Sequence, residues 1–301
     1  MIEASRFSPT RPGLPGRFAI HGIDLVVEGD VRAAVDAVAM SYAAFATSDA
    51  VRAGAEHPVR IGAWHEGDRY RLIDHRGRPT IVRTETEAVL GLLDRVVETV
   101  LDHLATRGIL GTHAGVVEVR ERAILLSGRS GRGKSTLTLG LIRRGAGWLT
   151  DELALVAPDD HTMLPYPRAL HVSPGTVDLL PELSFLHMRP RYELGGESEW
   201  SVTPADLEAA FGARRAGPTP LALIVLLDGD PDPAREPDIR PISPALAAME
   251  LLRGTPASTL DFEGTMRRLS AIAERVPTVR LRVGELDRTA LAVRDWLAAL
   301  P

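Results

Sequence analysis

The run Gly128-Arg129-Ser130-Gly131-Arg132-Gly133-Lys134-Ser135-Thr136 fits the phosphate-loop template G-x-x-x-x-G-K-[ST]. Glycines at such spacing let successive backbone N–H groups turn toward one anion, and a helix N-terminus behind them adds its partial positive charge. Lys134 can then span the outer phosphates of a nucleoside triphosphate, and the Ser135 hydroxyl can reach Mg²⁺. Gly128, Ser130, Gly131, Gly133, Lys134, Ser135 and Thr136 are therefore the expected phosphate-binding set. The flanks suit the motif: residues 122–127 (RAILLS) read as a buried strand, and 135–144 (STLTLGLIRR) as a largely buried helix ending near Gly145.

A phosphate loop alone names no reaction, so its companions matter. Asp151 and Glu152 follow Trp148-Leu149-Thr150 and precede Leu153-Ala154-Leu155-Val156, and the whole stretch reads as one strand carrying an acidic pair. Enzymes of this kind need a carboxylate for Mg²⁺ and another to accept or orient the proton of the attacking hydroxyl. Adjacent acids can divide those tasks, although neighbours on a strand face opposite ways. The alternative is one Mg²⁺ carboxylate beside one solvated acid. His113, in Leu110-Gly111-Thr112-His113-Ala114-Gly115, is a further candidate, while the other histidines show no metal-ligand spacing. Arg168 suits either a clamp on a phosphate or acidic substrate group or an ordinary surface ion pair. Arg129 and Arg132 add positive field at the loop or are solvated. Arg189, Arg191 and Trp200 are candidates for a mobile substrate mouth.

These residues need a scaffold. Residues 18–27 read as a strand, 31–46 as a helix, and 58–64, 69–74 and 79–83 as short strands separated by turns. Residues 85–106 place Val89, Leu92, Leu93, Val96, Val100 and Leu104 at helical spacing. Two extended runs around Arg120-Glu121 form a hairpin leading into the phosphate loop. Residues 157–220 read as a long irregular segment, with a mobile stretch at 195–200, of the kind that forms a substrate loop or lid. Beyond it come a buried strand at 221–227, a solvated loop at 230–238, a helix at 244–253, a strand at 278–283 and a closing helix at 286–299. The expected fold is α/β, a phosphate-loop core over 109–301 preceded by a small α+β unit over 1–108 that packs on it and helps to recognise the substrate.

Composition narrows the classes. The chain has 301 residues, 45% hydrophobic and 25% charged, as in ordinary globular proteins. Its net charge of −5, from 35 basic and 40 acidic residues, argues against a nucleic-acid partner. No apolar run approaches the ~20 residues of a membrane span. Cysteine is absent, which excludes disulfides, thiolate catalysis and cysteine-bound zinc. The first sixteen residues contain no apolar signal core and read as a loose tail, so a cytoplasmic location is expected. A homo-oligomer is left open.

The run from His113 to Val156 resembles the kinase domain of HPr kinase/phosphorylase and of related peptide-modification kinases of the lasso-peptide type. The shared features are a histidine before the loop, the G-x-S-G-x-G-K-S loop itself, a helix ending in Arg144-Gly145, and an acidic pair. Tyr166-Pro167-Arg168 and the closing strand and helix look like the peptide-kinase branch. The M-E-[IV]-R-G-L-G segment of true HPr kinases is absent. The resemblance implies that Asp151 is the general base, with His113 orienting it or tuning its pKa. It places Glu152 beside Mg²⁺ and Ser135, and implies ATP and Mg²⁺ as cofactors. The expected activity is transfer of the γ-phosphate to a hydroxyl, on Ser or Thr of a peptide or protein. A small-molecule hydroxyl kinase and a nucleotide-driven ATPase or switch are the alternatives.

Overall fold

The computed structural model describes residues 16–47, 57–194, 197–256 and 262–301. The expected N-terminal tail and Gly195-Gly196 lie outside the described residues. The chain divides into two compact units, Met1–Val100 and Leu101–Pro301. Pattern alone puts the division at 108/109, after the long helix. The end of that helix, from Leu101 on, instead belongs to the second unit. There the Leu104 carbonyl accepts from the N–H groups of Arg107 (3.0 Å) and Ile109 (3.1 Å).

In the first unit the stretch read as one strand is two. His21 and Gly22 both take positive φ, 46° and 77°, and fold β1 (Gly16–Ile20) against β2 (Ile23–Gly29) as a hairpin. The following helix α1 (Arg32–Ser41) stops before a short 3-10 turn, Ala43–Phe45, rather than running to residue 46. The strands β3 (Val59–Glu66), β4 (Arg69–Ile73) and β5 (Pro79–Val82) complete a five-stranded sheet in chain order, with β2 and β3 parallel. Helix α2 (Glu85–Ala105) begins in a capping box: Thr84 Oγ1 accepts from the Glu87 N–H at 3.1 Å, and Glu87 returns the bond to the Thr84 N–H at 3.2 Å.

The second unit is built around three parallel strands, β8 (Arg122–Ser127), β15 (Thr219–Leu227) and β17 (Thr278–Arg282), in the order β8-β15-β17. Outside β8 lie β7 (Gly115–Val119) and β9 (Gly147–Thr150), both antiparallel to their neighbours. β16 (Asp238–Pro241) pairs with β17 at the other edge. The start of β15 pairs with β11 (Thr162–Leu164), which continues through β10 (Leu153–Val156) to β6 (Leu110–His113). Helices cover both faces. Leu137 and Leu141 of α3 (Lys134–Arg143) and Ala290 and Val293 of α8 (Leu286–Ala299) bury against Ile124, Leu126, Leu223 and Val225. Ala247 and Leu251 of α6 (Pro244–Arg253) and Leu269 and Ile272 of α7 (Phe262–Arg275) bury against Ala123, Leu125 and Ile224. The alternation of β8 between these two cores is the period-two signature of a strand covered on both sides. In β15 a register shift between Leu221 and Leu223 moves Leu221 to the opposite face from the other odd-numbered positions. The architecture is α/β, as the pattern predicts.

Three further expectations change. Asp151-Glu152 do not lie within a strand: the chain bends there, leaving β9 beside β7 and carrying β10 to β6 and β11. The Thr150 hydroxyl stabilises the bend by accepting from the N–H groups of Glu152 and Leu153, both at 3.3 Å. Residues 157–220 are not irregular. They contain β11, β12 (Leu170–Val172), α4 (Pro174–Leu179), a 3-10 helix (Pro181–Met188), β13 (Tyr192–Leu194), β14 (Glu197–Val202) and α5 (Pro204–Phe211). The expected substrate mouth is packed structure. Trp200 is buried with its Nε1 donating to the Arg189 carbonyl at 3.3 Å, and the Arg191 guanidinium stacks 4.3 Å above its ring. Arg189 holds Asp206 through two bonds of 2.7 and 2.8 Å, and Asp206 with Thr203 caps α5. No described helix is long and apolar enough to cross a membrane.

Candidate phosphate-binding and catalytic site

The phosphate loop leaves the end of β8 and enters α3. Gly128 passes so close to the neighbouring strand that a Cβ there would stand 3.0 Å from Leu227 Cβ. Gly131 and Gly133 hold φ of 77° and 83°, the left-handed region that side chains disfavour, and Gly133 is the N-cap residue of α3. The buried strand end and the helix N-terminus thus converge on one turn, as the motif requires.

Three predicted residues meet below this turn. Lys134, the first residue of α3, is 8% exposed, and its Nζ lies 2.8 Å from His113 Nε2 at the end of β6. Burial lowers the Lys134 pKa, opposed by the charges of Asp151 and Glu152. His113 faces an open cavity, but its ring has lost part of its water to surrounding protein. That loss lowers its pKa, helped by the Lys134 charge and opposed chiefly by Glu152. A neutral ring accepting at Nε2 carries its proton on Nδ1. Backbone anchors His113 as well, its N–H donating to the Gly254 carbonyl at 2.6 Å.

Asp151 is buried at the bend after β9. Burial raises its pKa from 3.8 to about 6, against the neighbouring Ser135 hydroxyl, the Lys134 charge and the Thr138 hydroxyl. Among the described residues its Oδ1 has no hydrogen-bond partner. Room for the carboxylate exists because position 115 is glycine: a Cβ there would lie 2.6 Å from Thr138 Oγ1 and 3.2 Å from Asp151 Oδ1. A buried carboxylate oxygen without a partner, next to a lysine and a helix N-terminus, is an uncompensated acceptor that a bound reactant can satisfy.

The remaining predicted residues lie close by. Glu152 pairs with Arg168, which is 5% exposed and also donates through Nε to the Ala169 carbonyl at 3.3 Å. His113 contacts Lys134, and no hydrogen bond or ion pair joins it to Asp151 among the described residues. The Thr136 hydroxyl shares a 2.7 Å hydrogen bond with Thr176 of α4. Arg132 forms an ion pair with Asp230. Among the described residues no cluster of three or more metal-ligating side chains occurs. Mg²⁺ held on phosphates needs only one or two protein groups, because phosphate oxygens and water complete its shell. The Ser135 hydroxyl and Glu152, the expected pair, would meet that demand.

Sequence reasoning missed three contributors. Thr138 lies one helical turn after Lys134, to whose carbonyl its hydroxyl donates at 3.0 Å, so a helical projection from the loop would have found it. Gly115 carried a signal only as a glycine two residues after His113. The C-terminal end of α6, whose Gly254 receives the His113 N–H, carried none.

A cavity of about 550 Å³ opens beside the loop. Ser127 to Ser130 and Arg132, Leu226 and Leu227 at the end of β15 with Asp228 after it, His113, and Glu250, Arg253 and Gly254 to Pro256 at the end of α6 line it.

No protein-family model matches the chain, and no curated protein matches it. Among solved structures it is similar to the Hpr(Ser) kinase/phosphatase from Coxiella burnetii. That likeness has 15% identity and a TM-score of 0.31, covering 62% of this chain and 95% of the other. A likeness that faint carries no argument for fold or activity.

Proposed function

We propose that the protein is an ATP-dependent phosphotransferase acting on a hydroxyl, with Ser or Thr of a peptide or protein as acceptor. The observation that carries this reading is the buried Asp151, its Oδ1 unpartnered and its pKa raised to about 6, beside Lys134 and Ser135 of a phosphate loop. An ordinary carboxylate is a weak base at neutral pH, and one whose pKa lies nearer the working pH takes a proton more effectively. The peptide acceptor rests on the motif resemblance between His113 and Val156, which points to the peptide-modifying relatives.

In this reading ATP places its β- and γ-phosphates on the loop amides, and Lys134 turns from His113 to the γ-phosphate. Ser135 and Glu152 would hold Mg²⁺, which would supply charge neutralisation on the phosphates. The hydroxyl oxygen forms a bond to the γ-phosphorus as the bond to the β-bridging oxygen breaks. Its proton passes to Asp151, and ADP leaves with the electron pair. Glu152, held by Arg168, sets the field around the pair, and neutral His113 gives Lys134 an uncharged partner before substrate arrives. Positioning and charge neutralisation supply most of the rate.

The test combines purified protein, Mg²⁺, γ-phosphate-labelled ATP and an ATP-depleted extract of the source organism, with Asp151→Asn and Lys134→Ala as controls. Label in a peptide or protein, absent with both variants, supports the reading. Label in a small metabolite keeps the chemistry and changes the acceptor. Label only in free phosphate, at a rate the extract leaves unchanged, overturns the reading in favour of an ATPase.

A further inference from the structure

The position of the cavity beside the loop limits what can occupy it. His113 lines it and touches Lys134 Nζ at 2.8 Å, and Lys134 is the group that meets the terminal phosphate. The rest of its loop wall is the first half of the phosphate loop, Gly128 to Ser130 and Arg132. The cavity therefore lies beside the place of the transferred phosphate and reaches it past His113, while Lys134, Ser135 and Asp151 themselves do not line it. An acceptor must reach that phosphate from outside, and about 550 Å³ is within the usual ~300–1,000 Å³ range of ligand pockets, enough for a few residues of an extended peptide.

Charge in the walls selects the acceptor's chemistry. Arg129, Arg132 and Arg253 line the cavity, against Asp228 and Glu250. The two acids are already matched: Glu250 accepts from Arg253 at 2.6 Å, and Asp228 lies 3.7 Å from Arg280. Arg132 is paired outward to Asp230, which is 93% exposed. Arg129 has no ion-pair partner among the described residues. The cavity thus keeps one guanidinium without an ion-pair partner among the described residues, Arg129 at its loop wall, while Arg253 at the α6 wall is held by Glu250 in an exposed pair that contributes little and can open to a competing carboxylate. Guanidinium forks favour carboxylates and phosphates.

Resting on the phosphotransferase reading, we infer that this cavity is the acceptor subsite. It takes a peptide segment whose Ser or Thr hydroxyl stands next to acidic groups, with Arg129 and Arg253 receiving their carboxylates. Arg129 and Arg253 are then specificity-determining residues, separate from the groups that perform the transfer.

The experiment uses the full-length protein with Mg²⁺, γ-labelled ATP and a library of short Ser- and Thr-containing peptides varied through acidic, neutral and basic flanks. Wild type, Arg129→Glu and Arg253→Glu are compared, each scored by its own ratio of kcat/KM on acidic-flanked to basic-flanked peptides. Both arginines are exposed, and a ratio within one variant does not depend on how much of it is folded. Acidic flanks are expected to be preferred by the wild type. Each reversal is expected to reduce that preference about tenfold to a hundredfold, the range of hydrogen bonds to charged groups. Peptides labelled without an acidic preference, or a preference unchanged in both variants, would overturn the inference and leave the phosphotransferase reading standing. An entirely unlabelled library would also overturn it, because a cavity this size reads only residues beside the hydroxyl. The extract assay then decides separately whether transfer to any acceptor occurs.

Discussion

Replacing Asp151 by Asn should make the protein more stable while removing its activity, and the gain should depend on pH. The folded structure raises this carboxyl from 3.8 to about 6. A raised carboxyl pKa means that the fold prefers the protonated form, so its stability is full below the unfolded value and is lost as pH rises through about 6. The gap of about two pH units corresponds to about 3 kcal/mol at ~1.4 kcal/mol each. Asn imitates the neutral form at every pH. Its advantage over wild type should therefore grow by about 2 kcal/mol between pH 4.5 and pH 8, by the same linkage. At pH 8 this amounts to a rise in melting temperature of about 5–10 °C for a unit of roughly 200 residues. Urea unfolding of both proteins at the two pH values measures the difference directly. An Asn variant less stable than wild type at pH 8, or one whose advantage is the same at both pH values, would refute the account of Asp151 as a destabilising buried charge. Phosphate transfer by the variant should fall about 10²–10⁴-fold, the usual contribution of a positioned base.

Other consequences are testable in the same preparations. The pH profile of kcat/KM should rise with an apparent pKa of about 6 and level off above it, since the base must be unprotonated. Lys134→Ala should weaken transfer about 10²–10³-fold. It should also move that limb to higher pH, because the lysine charge lowers the Asp151 pKa in wild type. Gly115→Ala introduces a methyl 2.6 Å from Thr138 Oγ1 and 3.2 Å from Asp151 Oδ1. Overpacking of that kind costs about 1–3 kcal/mol and should lower kcat more than it raises the KM for ATP, as steady-state kinetics and unfolding together would show. His113→Gln should retain nucleotide binding, measured by calorimetry, while kcat falls.

The site was legible because its parts are local. Gly128 to Thr136 carry their geometry in their own residue types, and Asp151 stands just past the end of the next strand, β9. What the pattern could not supply is the bend at Asp151-Glu152. Leu153 to Val156 are as apolar as Gly147 to Leu149, so both halves read as one strand. Only pairing with β7 on one side and with β6 and β11 on the other separates them. Residues 157–220 were opaque for a related reason. Their short strands and helices are punctuated by prolines and held by distant partners, such as Arg189 with Asp206 and Trp200 with Arg191. Helix α7 was missed because its buried Leu269, Ile272 and Ala273 are few among charged neighbours. The hairpin of β1 and β2 was hidden because its turn places a non-glycine residue, His21, at positive φ, which is uncommon, inside an otherwise continuous apolar run.

The most direct measurement is a crystal structure of the protein with Mg²⁺, ADP and a metallofluoride that imitates the phosphoryl group in flight. The account predicts the metallofluoride between Lys134 Nζ and Asp151. The position of the entering oxygen should lie within about 2.6–3.2 Å of an Asp151 carboxylate oxygen and open to the cavity beside Arg129. A metallofluoride remote from Asp151, or an Asp151 bound only to the metal and turned away from the entering oxygen, would contradict it.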